Sequence, residues 1–276
     1  NDLIEYCNRG NAHDRAEYID KIPNLGNIIA KCGKDLKLPG QSRNYGRWKK
    51  KESIGRGTLS KYIKIFEEED KNNIIQREIN ILKQARDSNV IWDEIVEIKN
   101  IDDPKEYVYD FTVPGNETFL TGDGIIVHNT LNSVDWNDKI TFINNDLETS
   151  VKPIGEFIDD LMSKSEVKKI DNDTETEYLD IKHLNYKIPS VDEDGKVTYK
   201  LVEAVTRHLP GHDGKLVKIK TNMGREVSAT KSKSFLVREE NLIVEKEGKD
   251  IKVGERLPIT TNYANNVNQL KKLDIT

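Results

Sequence analysis

The chain has 276 residues, 36% hydrophobic and 33% charged, with a net charge of −5. That balance reads as a soluble globular protein with a thin core, of one large domain or two small ones, and not as a disordered or fibrous chain. No apolar run reaches the ~18 residues that a membrane-spanning helix needs, no secretory leader is legible at Asn1, and two cysteines, Cys7 and Cys32, make no disulfide framework. No membrane partner and a cytoplasmic setting are therefore expected.

In chain order, residues 1–87 read as a small, basic, helical module. Leu25, Ile28, Ile29, Cys32 and Leu36 fall at helical spacing, with Asn24 placed to cap them. A loop, GQSRNYGRWKKK, follows. It carries Arg43, Arg47, Lys49, Lys50 and Lys51 around Tyr45 and Trp48. Thr58 is then placed to cap TLSKYIKIFEEE, where Leu59, Tyr62, Ile63 and Phe66 share a face, and a third helix is expected over 72–86. Loop cations, with Arg56, suit a phosphate backbone, and a flanking helix suits a groove, so DNA is one candidate partner. The alternative is a solvated charged insert. Cys7, His13 and Cys32 are too scattered for a metal site, so no metal and no cofactor are expected.

Residues 88–129 change character. VIWDEIVEIKNI alternates apolar and polar residues, and a second strand runs over 107–113. Turns are legible at Asp102-Asp103-Pro104, at Pro114-Gly115-Asn116 and at Gly122-Asp123-Gly124. The segment stops abruptly at His128-Asn129-Thr130.

Ser133 opens the last segment, 133–276. A strand over 140–143 leads to Pro153 and a short amphipathic helix, IGEFIDDLM, with Ile154, Phe157, Ile158 and Leu161 on one face. Strand then follows strand, with Gly195, Gly211, Gly214, Gly224 and Gly248 at turn positions. His183, His208 and His212 belong to no motif. A lone strand histidine is usually structural, and HLPGH lacks the cysteine or carboxylate partners of a metal site. No phosphate-binding loop, dinucleotide fingerprint or hydrolase elbow is present.

The run VYDFTV…FLTGDGIIVHN, followed by Thr130, resembles the two C-terminal motifs of inteins. Ser133 and GKLVKIKTNMGREVSATKSKSFLVR resemble the two N-terminal ones, except that the usual Thr-x-x-His core reads Thr230 to Lys233. The module segments YIDKIPNLGNIIAK and IGRGTLSKYIKIFEEE, within 18–70, resemble the helical end of homing-endonuclease insertions of the LAGLIDADG type. The acidic-ended helix pair of that class is missing, so cleavage of DNA is not expected, since it needs carboxylates to hold metal ions.

The resemblance implies a mainly β fold, the horseshoe-shaped Hint domain, with an inserted small α-helical module. It implies autocatalytic protein splicing of the Ser/Thr type, similar to inteins of phage and archaeal DNA polymerases. Ser133 would attack first, Thr130 second, and Asn129 would cyclise through its side-chain amide. His128 would polarise the junction, Asp110 would orient groups or move a proton, and Thr230 and Lys233 would serve the first step. The partners would be the chain's own flanking exteins, the state a monomer, and the activity a single turnover. The halves stand in reverse order, 88–129 before 133–276, with 130–132 as a bridge, as in a circular permutation or two split halves fused. Two rival readings stay open: a DNA-binding protein derived from a homing endonuclease, and a Hedgehog-like autoprocessing domain.

Overall fold

The structure is a computed structural model that describes residues 21–38, 53–101, 107–128, 133–146, 148–171, 175–210, 215–239 and 242–260. The first part forms β1 (Lys21–Pro23), α1 (Gly26–Asp35), β2 (Ser53–Gly55), α2 (Arg56–Glu69) and α3 (Gln76–Asp87). Strands β3 (Ile91–Ile101), β4 (Val108–Thr112), β5 (Thr118–Leu120) and β6 (Ile126–His128) follow. After Ser133 come β7 (Val134–Asp135), β8 (Lys139–Ile143), β9 (Thr149–Pro153), α4 (Ile154–Ser163), β10 (Lys168–Asp171) and β11 (Thr176–Asp180). The chain continues as β12 (Lys187–Val191), β13 (Val197–Leu201), β14 (Ala204–His208), β15 (Leu216–Thr221), β16 (Glu226–Thr230), β17 (Ser234–Glu239), β18 (Leu242–Glu247) and β19 (Arg256–Ile259). The fold is mainly β, with a small helical layer.

The sheets are woven from both sides of the His128–Ser133 junction. A nine-stranded sheet runs β10-β11-β14-β4-β7-β16-β15-β3-β19, so β3 and β4 are each flanked on both sides by strands from after residue 133. A four-stranded sheet runs β18-β17-β6-β5 and mixes the two segments again. Neither segment can complete its backbone hydrogen bonds alone, so neither is an independent folding unit. One apolar core joins them, with Tyr109, Phe111, Phe119 and Val127 beside Val134, Phe142, Phe157 and Phe235.

The helical layer is not a pendant insert. Its buried face of Ile22, Leu25, Ile29, Leu59, Ile63 and Phe66 lies in one cluster with Leu120 of β5 and Ile126 of β6. The tip of the β12–β13 hairpin closes on the end of α3. Gly195, with φ +74, accepts from the Asn89 N–H at 2.8 Å, and a Cβ there would stand 2.7 Å from Ser88 Cβ. Only glycine combines that left-handed turn with that approach.

Helix starts differ from the expected ones for identifiable reasons. Asn24 does not cap α1. It sits at φ +55, and its side-chain amide donates to the Arg238 carbonyl of β17. Helix α2 begins at Arg56 rather than Thr58, and α3 at Gln76 rather than 72. Asp70, buried between these helices, accepts from the N–H groups of Ile74 and Ile75 at 2.7 and 3.0 Å, which holds the turn before α3 open. No helix among the described residues is long and apolar enough to cross a membrane.

Candidate functional site

The first candidate side chain, Ser133, precedes β7, a two-residue strand between β4 and β16. The register pairs Val134 with Tyr109 on one side and with Ala229 on the other. This sets Asp110, next along β4, and Thr230, next along β16, beside Ser133. The Thr230 N–H donates to the Ser133 carbonyl at 2.9 Å. Ser133 is fully buried, and its hydroxyl lies 2.8 Å from His208 Nε2.

The turn after Thr230 reaches the other junction. Lys233 N–H donates back to the Thr230 carbonyl at 3.0 Å, and the chain then enters β17, where Phe235 pairs with Val127 of β6. A single four-residue turn therefore links the strand end that carries His128 to the strand start that follows Ser133. Four Cα steps from residue 129 to Ser133 span at most ~14 Å, so the bridge also keeps the junctions close.

Lys233 has no exposed surface. Its Nζ donates to Asp110 Oδ1 at 3.2 Å and lies 5.1 Å from the centroid of the Phe119 ring. Asp110 Oδ1 also accepts from the Phe111 N–H at 2.9 Å. Burial pushes the Asp110 carboxyl up to about 7, against the opposing pull of Lys233, and burial lowers Lys233 from its ordinary value. A buried pair with both members driven toward neutrality can hold or pass a proton where a surface pair would stay ionised. His128, paired with Thr118 across β5–β6, places Nε2 3.4 Å from Glu245 and 3.7 Å from Glu117. Its Nδ1 is buried with no hydrogen-bond partner among the described residues. A buried ring nitrogen left open at the strand end that leads into Asn129 is a donor or acceptor held in reserve.

The model described as "Intein splicing domain" matches residues 16–129. The chain contains an intein splicing domain.

The match ends on Asn129 and begins inside the helical segment, so α1, α2 and α3 lie within the family's span. The subunit Rpo1C of DNA-directed RNA polymerase from Methanocaldococcus jannaschii is 40% identical over 133 residues, 47% of this chain and 15% of that protein. A DNA polymerase of the same organism is 30% identical over 235 residues, 84% of this chain and 12% of that protein. The chain thus spans a small part of the length of the curated relatives it matches. Among solved structures, the transcription factor IIB Mvu mini-intein covers 46% of this chain and 80% of its own length, at 23% identity and a TM-score of 0.40. The activity of an intein splicing domain is autocatalytic protein splicing, and such a domain sits within flanking exteins.

The intein's expected site residues divide into three groups. Asp110, Ser133, Thr230 and Lys233 come together on β4, β7, β16 and the turn into β17, with His128 at the neighbouring strand end. Asn129 and Thr130 lie outside the described residues, as do Arg43, Arg47, Lys49, Lys50 and Lys51. Arg56 corrects the expected phosphate contact. Its guanidinium donates to the carbonyls of Ala85, Arg86, Ser88 and Val90, closing the C-terminal end of α3 where carbonyls lack helical partners. Sequence reasoning missed His208. No motif marks it, and only the pairing of His208 with Val108 across β14–β4 carries it toward the junction. His183 stands exposed in a 3-10 turn away from these residues, and His212 lies outside the described residues. Among the described residues, no group of three or more His, Cys, Asp or Glu could hold a metal ion.

Proposed function

We propose that this intein carries its two splicing halves in exchanged order, 133–276 being the first half and the residues up to Asn129 the second. The observation that supports it is the Thr230–Lys233 turn, which links the strand leading to His128 with the strand after Ser133. In the proposed sequence the Ser133 hydroxyl attacks the Asn132 carbonyl and shifts the acyl group from nitrogen to oxygen. Thr130 then takes the acyl group by transesterification. The Asn129 side-chain amide attacks its own backbone carbonyl, releasing Thr130 and leaving a succinimide. An amide is a poor nucleophile, so this step depends on alignment and on polarisation of the carbonyl. The open His128 Nδ1 suits either role.

Stretches similar to this chain occupy a small share of an RNA polymerase subunit and of a DNA polymerase. A sequence shared by large proteins of different function suits a self-excising insert, and a cytoplasmic setting is part of the same reading.

In this chain the exteins reduce to Thr130-Leu131-Asn132. Complete splicing would release them as a cyclic tripeptide. A three-residue ring cannot close with all-trans peptide bonds, and each non-proline cis bond costs about 2.5–4 kcal/mol. The chain therefore stalls before ligation or leaks into single cleavages at Asn129 or Ser133. Intact-mass measurement over time tests this: the expected species are the full chain and its one-cut fragments. Quantitative release of the cyclic tripeptide would overturn it.

DNA contact by the helical layer, the remnant reading, now rests on Arg43, Arg47, Lys49, Lys50 and Lys51 without Arg56. Titration of the full chain with a labelled duplex at two salt concentrations tests it, and a signal that does not weaken with salt would count against phosphate contact.

A further inference from the structure

We propose that His208 is the general base and acid of the first splicing step, serving Ser133 directly. The inference deepens the reading of Ser133 as the first nucleophile and rests on it. His208 ends β14, two strands from β7, and its ring reaches the buried hydroxyl with Nε2 at 2.8 Å from Ser133 Oγ. The other ring nitrogen, Nδ1, lies 2.7 Å from the Leu209 carbonyl oxygen. A carbonyl only accepts, so Nδ1 carries the hydrogen, and in the neutral ring Nε2 then presents a lone pair to the serine. This is the arrangement that activates a hydroxyl: a base on the oxygen, itself held in one tautomer by a second contact.

Lys233 does not fill this place. Its Nζ is turned onto Asp110, and its backbone N–H is spent on Thr230. Thr230 contacts the Ser133 carbonyl through its backbone N–H, not the hydroxyl. The motif position normally held by histidine thus carries a lysine in a buried ion pair, while a histidine from another strand stands on the nucleophile.

The step balances. As Oγ bonds to the Asn132 carbonyl carbon, its proton passes to His208 Nε2. The tetrahedral adduct then breaks its C–N bond, and the imidazolium returns the proton to the Ser133 nitrogen. The product is an ester carrying a free amine, with no external reactant used.

The test traps that ester with hydroxylamine in the full chain. It reads the appearance of the 1–132 hydroxamate and of 133–276 by mass. His208→Ala is compared in two backgrounds, Ser133 and Ser133→Cys. A thiol ionises near pH 8.5 unaided and needs little help from a base. General acid–base help is worth about 100-fold or more, so His208→Ala should slow trapping by about that factor with Ser133 and by under ~10-fold with Ser133→Cys. Equal losses in both backgrounds, which a folding defect would also give, overturn the role of His208. So does trapping in His208→Ala that stays within about threefold of the parent, given the size expected of a base. No hydroxylamine-dependent cleavage from the parent chain or from Ser133→Cys overturns the assignment of Ser133, and the proposal with it.

Discussion

Lys233 and Asp110 form a fully buried pair at 3.2 Å whose members are both pushed toward neutrality by burial. Removing the cation removes the pull that holds the carboxyl down. In Lys233→Met the folded chain would keep a proton on Asp110 that the unfolded chain releases near ~3.9. The folded state then binds more protons than the unfolded state across that window, so stability falls as pH rises through it. The expected loss is about 3–5 kcal/mol at pH 8, where the folded variant must either hold that proton or bury a carboxylate without its cation, and clearly less at pH 5.5, where Asp110 is protonated with or without Lys233. Urea denaturation at the two pH values measures it, and equal losses would show that Asp110 does not titrate there. Cys32 gives a second test at this scale. Burial raises its thiol to about 12, so it is an unreactive core residue of α1. With the oxygen nucleophiles proposed for both junctions, iodoacetamide should leave the rates of cleavage at Asn129 and Ser133 unchanged. A strong inhibition would reassign the chemistry to a thiol.

At the scale of elements, the helical layer has a structural task that its charge conceals. Phe66 of α2 is fully buried in the cluster that also holds Leu120 and Ile126, the strands that lead to His128. Phe66→Ala is expected to cost about 3–5 kcal/mol. It should also slow cleavage at Asn129 more than hydroxylamine trapping at Ser133, because β5–β6 loses its support while β7 does not. Comparing the two rates in one variant checks this, and equal slowing would mean that the layer supports the fold as a whole.

Helix α4 is seated by a different device. Asp159 accepts from Tyr109 Oη at 3.0 Å, from Trp136 Nε1 at 2.9 Å and from Arg207 at 2.6 Å. Gly155 lies so close to Trp136 that an added Cβ would fall 1.9 Å from Cδ1 of the indole. The ring cannot step aside without losing Asp159, so Gly155→Ala should destabilise by about 1–3 kcal/mol or more. A thermal melt reads this directly, and an unchanged midpoint would show that α4 shifts freely. The amphipathic pattern of α4 was legible, because Ile154, Phe157 and Ile158 are buried at helical spacing. Its anchoring was not, since the tryptophan, tyrosine and arginine that hold it arrive from three different strands or turns.

At the scale of the whole molecule, the weaving of β3, β4 and β6 among strands from after Ser133 makes chain order nearly irrelevant to the finished sheets. What chain order does control is the bridge. Lengthening Thr130–Asn132 by about ten residues lifts the ring strain at a small entropic cost, since closure entropy grows only with the logarithm of length. Such a chain should release the whole lengthened bridge as a cyclic peptide, together with the separate segments ending at Asn129 and beginning at Ser133, detectable by mass. Single cleavages alone from the lengthened chain would place the block in the site and not in the bridge.

The amino-acid sequence by itself determined the class of chemistry. His128-Asn129-Thr130, Ser133 and the Thr230–Lys233 core are local patterns, and a reaction whose nucleophiles lie within a few residues of the bonds they cut must announce itself locally. It also determined most strands and the buried faces of α1, α2 and α4, because side-chain period follows backbone geometry. Only the tertiary structure decided that Lys233 meets Asp110, that Arg56 closes a helix end instead of facing DNA, and that His208 stands on Ser133. Each of these depends on which strand or helix lies beside which, over separations of 123, 30 and 75 residues. No period or spacing within a segment encodes that adjacency. It is fixed by the burial of shared apolar faces and the pairing of backbone groups across the whole sheet.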